Sequence, residues 1–270
     1  MTPTNRRVAP TAPASATPRT AMRIGSALST VLGVVLVAGG SLGAAWLARR
    51  YVTRSERFAV ASIEVTGTER RTAEAVIADS GIAMGVNLFS VDLDAAHASI
   101  SADPWIADAV LSRRLPGTIV IHVRERRAAA LVALGDLLLA TDDGEPFKKL
   151  EPGDPVDLPL ITGLSPERVA DDREDARRTI RRAIDLAAEY GQGALAKRAS
   201  LQEVHVDEGG SLSLLVGHSA MQLVLGGPPF RRKLDEATRV VGELEKRHAQ
   251  ASTIMLDNEV RPERVVARLR

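Results

Sequence analysis

Residues 104–123 read PWIADAVLSRRLPGTIVIHV, and this stretch decides the first folded unit. Trp105, Ala107, Ala109 and Leu111 fall on one side of an extended chain, and Ile119, Ile121 and Val123 fall on one side of the next. That two-residue period marks half-buried strands. Between them, Leu115-Pro116-Gly117-Thr118 has Pro and Gly in the order of a type II turn, so a hairpin is expected. Upstream, Asp103-Pro104 closes a helix that opens at Asp92 and carries Leu93, Ala96 and Ile100 on one face. Before it, Thr72 is placed to cap a short helix through Ile77, with Gly81 as the stop. A strand over Ala61–Thr66, with Ile63 and Val65 on one face, ends at Gly67. The order is β-α-α-β-β over residues 58–127, a three-stranded sheet backed by two helices.

Further upstream, Ile24 to Ala48 is a run of 25 residues without a charge. As a helix it extends about 38 Å at ~1.5 Å per residue, more than the ~30 Å hydrocarbon core needs. Residues 24–48 are therefore expected to span a membrane, and 49–57 to be a linker. Gly39 and Gly43 form a GxxxG pair that permits close helix–helix approach. A cleavable leader ending near Gly43-Ala44-Ala45 is the rival reading, but the run exceeds the ~7–15 residues of a leader core. Residues 1–23 are rich in Pro, Ala and Thr and are expected to be a disordered cytoplasmic tail. That tail holds Arg6, Arg7, Arg19 and Arg23 and no acid, which favours an N-inside orientation. Arg49, Arg50 and Arg54 oppose it, but the foldable bulk of the chain follows the span, with Trp46 and Tyr51 at the outer interface.

Downstream, residues 128–270 form a second unit. Leu137–Ala140 and Pro146-Phe147 flank Asp142-Asp143-Gly144-Glu145, a hairpin whose Gly supplies a positive φ. A Pro/Asp-rich loop runs through Pro152, Pro155 and Pro159 to Gly163. A helix over 171–190 opens with acids and buries Ala176, Ile180, Ala183, Ile184 and Ala187, ending at Gly191. Strands near Leu201–Val206, Ser211–Val216 and Met221–Leu225 follow, then a helix from about Pro229 to His248 with Leu234, Ala237, Val241 and Leu244 inward. Thr253–Leu256 and Arg264–Arg270 close the chain as two strands. The fold class is α+β: one N-terminal transmembrane helix, the β-α-α-β-β unit, and a mixed α/β domain with a mainly antiparallel sheet.

The chemistry is narrow. Lys+Arg 35 against Asp+Glu 34 leaves +1, which gives no reason to bind nucleic acid. Zero cysteines exclude disulfides, thiolate zinc sites, iron–sulfur clusters and cysteine nucleophiles. His97, His122, His205, His218 and His248 are dispersed, with no metal-ligand spacing. Gly191–Ala196 formally matches GxGxxA but follows a helix rather than a strand, so it cannot cradle a dinucleotide. Asp142-Asp143 is read as turn chemistry, and Arg177, Arg178, Arg181 and Arg182 as a solvated helical face. No cofactor, metal or small-molecule substrate is expected, and no enzyme activity.

The chain resembles the bacterial cell-division FtsQ/DivIB family on a set of motifs. They are Ile63-Glu64-Val65-Thr66-Gly67, Gly85-Val86-Asn87-Leu88-Phe89-Ser90-Val91-Asp92, Pro104-Trp105-Ile106, Arg114–Ile119 and Val123-Arg124-Glu125-Arg126. Together they resemble the POTRA domain of that family. Asp143-Gly144 and Leu158-Pro159-Leu160-Ile161-Thr162-Gly163 are similar to its early β-domain signature. The resemblance implies a non-enzymatic, single-pass inner-membrane protein of the division septum, bridging early and late divisome proteins. Its implied partners are FtsB and FtsL homologues, docking on the β domain.

The last strand offers a route for that docking. Val265, Ala267 and Leu269 alternate with Val266, Arg268 and Arg270, so one face can pack inward while an edge invites strand addition. Four or five hydrogen bonds at ~0.5–1.5 kcal/mol each would support micromolar binding if side chains add specificity. Arg264, Arg268 and Arg270 would select an acidic segment, or else only guard the edge. Relatives often read Asp-Leu-Arg before the final hairpin where this chain has Asp257-Asn258-Glu259, so a partner-contacting arginine would be Arg261 or Arg264. The expected partner site is Glu259, Val260, Arg261 and the run Arg264–Arg270. A POTRA protein of outer-membrane assembly or secretion is the competing reading; such chains end in a barrel with aromatic girdles, and little aromatic sequence follows Phe147.

Overall fold

In the computed structural model, residues 19–258, 261 and 264–270 are described, with side chains from residue 32 onward. Helix α1 (Arg19–Arg54) contains the charge-free run and extends beyond it at both ends. Its residues Leu32–Arg54 pass as a candidate membrane span by length and composition. Leu36, Val37, Leu42 and Leu47 are all more than half exposed, an apolar surface that lipid would cover. Most of the expected tail lies outside the described residues. Arg19–Arg23, read as tail, and Arg49–Arg54, read as linker, are helical, and a 3-10 turn Glu56–Phe58 capped by Ser55 follows. Backbone hydrogen bonding carries a helix past the apolar residues, so the charge pattern marks the span but not the helix ends.

Strand β1 (Ser62–Thr66), helices α2 (Ala73–Ser80) and α3 (Leu93–Ser101), and strands β2 (Ile106–Arg114) and β3 (Thr118–Glu125) give the expected order, with sheet order β1-β3-β2. The Thr72 hydroxyl accepts from the Ala75 N–H, and Gly81 takes the left-handed C-cap at φ 65°, both as the sequence indicates. Ile119, Ile121 and Val123 are buried, as are Trp105 and Ala109. The turn differs from expectation: the Leu115–Pro116 bond is cis and Gly117 is not left-handed. Gly117 is required for another reason, since a Cβ there would lie 2.4 Å from the Ala59 carbonyl oxygen.

The larger unit holds strands β4 (Ala128–Leu134), β5 (Asp136–Thr141), β6 (Pro146–Lys149) and β7 (Leu160–Thr162), then α4 (Pro166–Asp171) and α5 (Arg173–Gln192). Strands β8 (Leu201–Val206), β9 (Leu212–Val216) and β10 (Met221–Gly226) follow, then α6 (Phe230–Lys246), β11 (Ala251–Met255) and β12 (Val266–Leu269). They build one nine-stranded sheet in the order β12-β11-β10-β9-β8-β7-β4-β5-β6. The β10–β11, β7–β8 and β4–β7 pairs are parallel and the rest antiparallel. The core lies between the sheet and two amphipathic helices: Ile180, Ala183 and Leu186 of α5 and Leu234 and Ala237 of α6 pack with Val204, Leu214, Leu223 and Ile254. Two expectations change here. Residues 160–162, read as loop, form β7 inside the sheet; and a short helix, α4, precedes the acid-led helix, with Asp172 closing α4 and capping α5 through the Asp175 N–H. The Asp142–Glu145 turn is as read, with Gly144 at φ 88°.

A joint connects the β-α-α-β-β unit to the large sheet. Trp105 packs with Leu131 and Leu139 and meets Phe147 edge-on at 5.3 Å between ring centroids. The Arg70 guanidinium stacks 4.1 Å from the Trp105 ring and pairs with Asp154 at 3.1 Å. Asp154 also accepts from Lys148 at 2.7 Å and from the Glu151 N–H. Burial opposes ionisation of Asp154, but Lys148, the Glu151 amide and Arg70 outweigh it and hold the carboxyl below its ordinary range.

Candidate functional site

The candidate site is the β12 edge. Strand β12 lies antiparallel to β11, with Met255 opposite Val266, Ile254 opposite Ala267 and Thr253 opposite Arg268. Leu256 N–H donates to the Val224 carbonyl, so along β11 the main chain of Ile254 faces β10, while Thr253 and Met255 face β12. On β12, the Arg270 N–H donates to the Gln250 carbonyl and the Arg268 carbonyl accepts from Ser252 Oγ at 3.1 Å. By the two-residue period, the N–H and C=O groups of Ala267 and Leu269 point away from β11, at a sheet edge.

The side chains divide less evenly than the alternation implies. Val265 and Ala267 pack against the core, but Leu269 is 55% exposed instead of facing inward. The pairing jumps from Thr253–Arg268 to Ala251–Leu269, and this bulge turns the strand end out of register with the core. Val266 is 49% exposed and Arg268 lies beside it on the open side. Arg264 is also exposed, and its N–H closes a turn onto the Arg261 carbonyl, while Asn258 Oδ1 accepts from the Arg261 N–H. Asn258 thus shapes the loop before the strand. Arg270 donates from its guanidinium to the Ser219 carbonyl, so it ties β12 to the β9–β10 turn. Glu259 and Val260 lie outside the described residues.

Two contributors escape the sequence reading. Met255, partly exposed beside Val266, follows from the inward placement of Ile254 and Leu256 and could have been found by alternation. Lys233 is 5% exposed, and its ammonium donates to the carbonyls of Leu225 and Gly227 at 2.6 Å each. It fastens the entry of α6 to the end of β10, which carries β11 and hence β12; nothing in the Lys233 neighbourhood of the sequence signals a buried charge. Among the described residues, no cluster of three His, Asp or Glu side chains could hold a metal ion. What the edge offers is directional main-chain hydrogen bonding flanked by two apolar residues and two guanidinium groups.

Residues 58–126 match the POTRA domain, FtsQ-type, and residues 130–260 match the C-terminal domain of cell division protein FtsQ/DivIB. The chain is 33% identical to the cell division protein FtsQ of Anaeromyxobacter sp. over 247 residues, covering 92% of this chain and 84% of that one. Against the FtsQ of Myxococcus fulvus it is 32% identical over 232 residues, covering 86% and 81%. This chain belongs to the FtsQ/DivIB family. It therefore has a role in cell division and works among protein partners, and the one apolar helix of membrane-spanning length among the described residues, near the N-terminus, fits a single-pass membrane anchor. The FtsQ-type match over both folded units displaces the outer-membrane assembly reading. The C-terminal match ends at residue 260, before β12 begins.

Proposed function

We propose that this FtsQ-family protein is a non-enzymatic scaffold of the divisome that recruits FtsB and FtsL homologues by strand addition on β12, linking early to late division proteins at the septum. In this reading residues 1–23 are the cytoplasmic tail, 24–48 the membrane span and 49–57 its exit. The POTRA domain (58–127) and the β domain (128–270) stand outside the cytoplasm. The observation that carries the reading is the pair of outward main-chain donors and acceptors at Ala267 and Leu269, on a strand bearing exposed Val266 and Leu269.

Energetics set what the edge must add. Two outward N–H and two outward C=O groups form at most four hydrogen bonds, a net of about 2–6 kcal/mol at ~0.5–1.5 each. Micromolar affinity needs about 8 kcal/mol, so backbone pairing alone falls short. Burying Val266 and Leu269 supplies the remainder, and Arg264 and Arg268 favour an acidic partner segment.

The test is capture of FtsB and FtsL homologues by the full chain against its Ala267→Pro variant. Proline removes the Ala267 N–H, which points to the partner rather than to β11, so the host sheet keeps its own hydrogen bonds. Capture is expected to be lost while the circular dichroism and melting of the protein stay close to wild type. Capture at wild-type level by a folded variant would reject strand addition.

A further inference from the structure

A second surface surrounds the exit of the membrane helix. Asn87 donates from its side-chain amide to the Val52 carbonyl at 2.9 Å and the Ser55 carbonyl at 3.3 Å, which ties the loop 83–92 directly to the end of α1. The chain leaving the helix is held by that same loop: Val60 N–H donates to the Val86 carbonyl, and Leu88 N–H to the Phe58 carbonyl. The turn after β2 joins them, since Ala61 N–H donates to the Gly117 carbonyl. Two loops distant in sequence are thus packed onto the first residues beyond the span.

Those loops are apolar where they are exposed. Met84 is 58%, Val86 41%, Phe89 41% and Leu115 61% exposed, and Phe89 stacks edge-on with Phe58 at 5.4 Å. Isolated exposed apolar residues are ordinary, but four large ones on two loops clamped to one helix end call for a cover. The local charge is also one-sided. Residues 49–58, 83–92 and 113–119 hold six arginines against Glu56 and Asp92. Depth agrees: Val52 lies four residues beyond Ala48, about 6 Å along the helix, and the interfacial layer of a bilayer is about 5–7 Å thick. Phe58 is four residues past Arg54 and cannot be more than ~14 Å from it.

We propose that the loop 83–92 and the Leu115 turn form a membrane-contacting surface that rests on the bilayer, with Val86, Phe89 and Leu115 in the interfacial layer and the nearby arginines on anionic headgroups. Apolar and aromatic side chains beside cationic ones are what that layer accommodates. The contact would hold these two loops at the membrane surface beside the helix exit. The inference rests on α1 spanning the bilayer.

Because the chain has no cysteine, single-cysteine variants report one position each. The full-length protein is reconstituted in phosphatidylcholine liposomes, with or without phosphatidylglycerol. It carries an environment-sensitive fluorophore at Val86→Cys or, independently, Leu115→Cys, and shallow lipid-borne quenchers are added. Val156→Cys, 68% exposed in a loop of the large-sheet unit, is the water reference, and Val37→Cys within α1 checks insertion. Both loop positions are expected to be quenched several-fold more than Val156, and further with phosphatidylglycerol. Loop labels quenched no more than Val156, with Val37 quenched, would overturn the membrane contact while leaving the anchor intact. Shielding that arises only after a division partner is added would assign the patch to protein and equally overturn it. An unquenched Val37 would overturn the spanning helix, and this inference with it.

Discussion

At one edge of the large sheet, β6 begins with Pro146 and carries Lys148 and Lys149; at the other, β12 runs Val266-Ala267-Arg268-Leu269 with neither residue type. The closed edge is heavily engaged. Lys148 is bound by Glu151 and Asp154, Lys149 pairs with Asp136, and Phe147 is held against Trp105 of the POTRA domain. Proline and lysine on an edge strand deter a further strand, and here the neighbouring domain also leans on it. The open edge has no such cover among the described residues; the side-chain tethers described for it are Arg270 on the Ser219 carbonyl and Ser252 Oγ on the Arg268 carbonyl. One sheet therefore uses one edge to join the two domains, while the other is the edge proposed above to receive a partner strand.

The contrast can be broken first at the closed edge. Trp105→Ala removes a buried ring from the joint and should cost about 3–5 kcal/mol in denaturant unfolding, as for other large core truncations. Amide exchange should rise in β5 and β6 while β12 stays unchanged. Asp154→Asn should cost less, about 1–2 kcal/mol, because Arg70 is 40% exposed and its pairing is screened. Since the folded-state pKa of Asp154 is lowered, its contribution is complete above the unfolded value near ~4 and is lost as pH falls through the folded one. Melting temperatures of wild type and Asp154→Asn should therefore converge on acidification below that point. The smallest effect on stability is predicted at the open edge: Leu269→Ser should change unfolding by less than about 0.5 kcal/mol, yet weaken capture of FtsB and FtsL homologues. A Leu269→Ser protein that binds normally but unfolds easily would invert the roles assigned to the two edges.

How far the sequence discloses this depends on how local the cause is. The Thr72 cap, the Gly81 stop and the strands on either side of Pro116 depend on residues a few positions apart, and all are readable. Strand β7 is not, because three residues, Leu160-Ile161-Thr162, carry no period, and they are ordered by parallel pairing to Leu131 and Val132 on one side and to Glu203–His205 on the other. The need for Gly117 depends on the Ala59 carbonyl, which belongs to a segment far from the turn in sequence. At the candidate site the sequence yields the alternation that turns Val265 and Ala267 toward the core, but not the bulge at Ser252 that turns Leu269 outward, nor the use of Arg270 as a tether. Lys233 is hidden for the same reason: its partners are main-chain carbonyls, which no residue type announces.

The most direct test of strand addition is amide hydrogen exchange at Ala267 and Leu269 in the complete protein, alone and with FtsB and FtsL homologues bound. The two amides, which point away from β11, should exchange quickly in the free protein and become protected in the complex. A complex that forms while both amides exchange at their free rate would contradict the account.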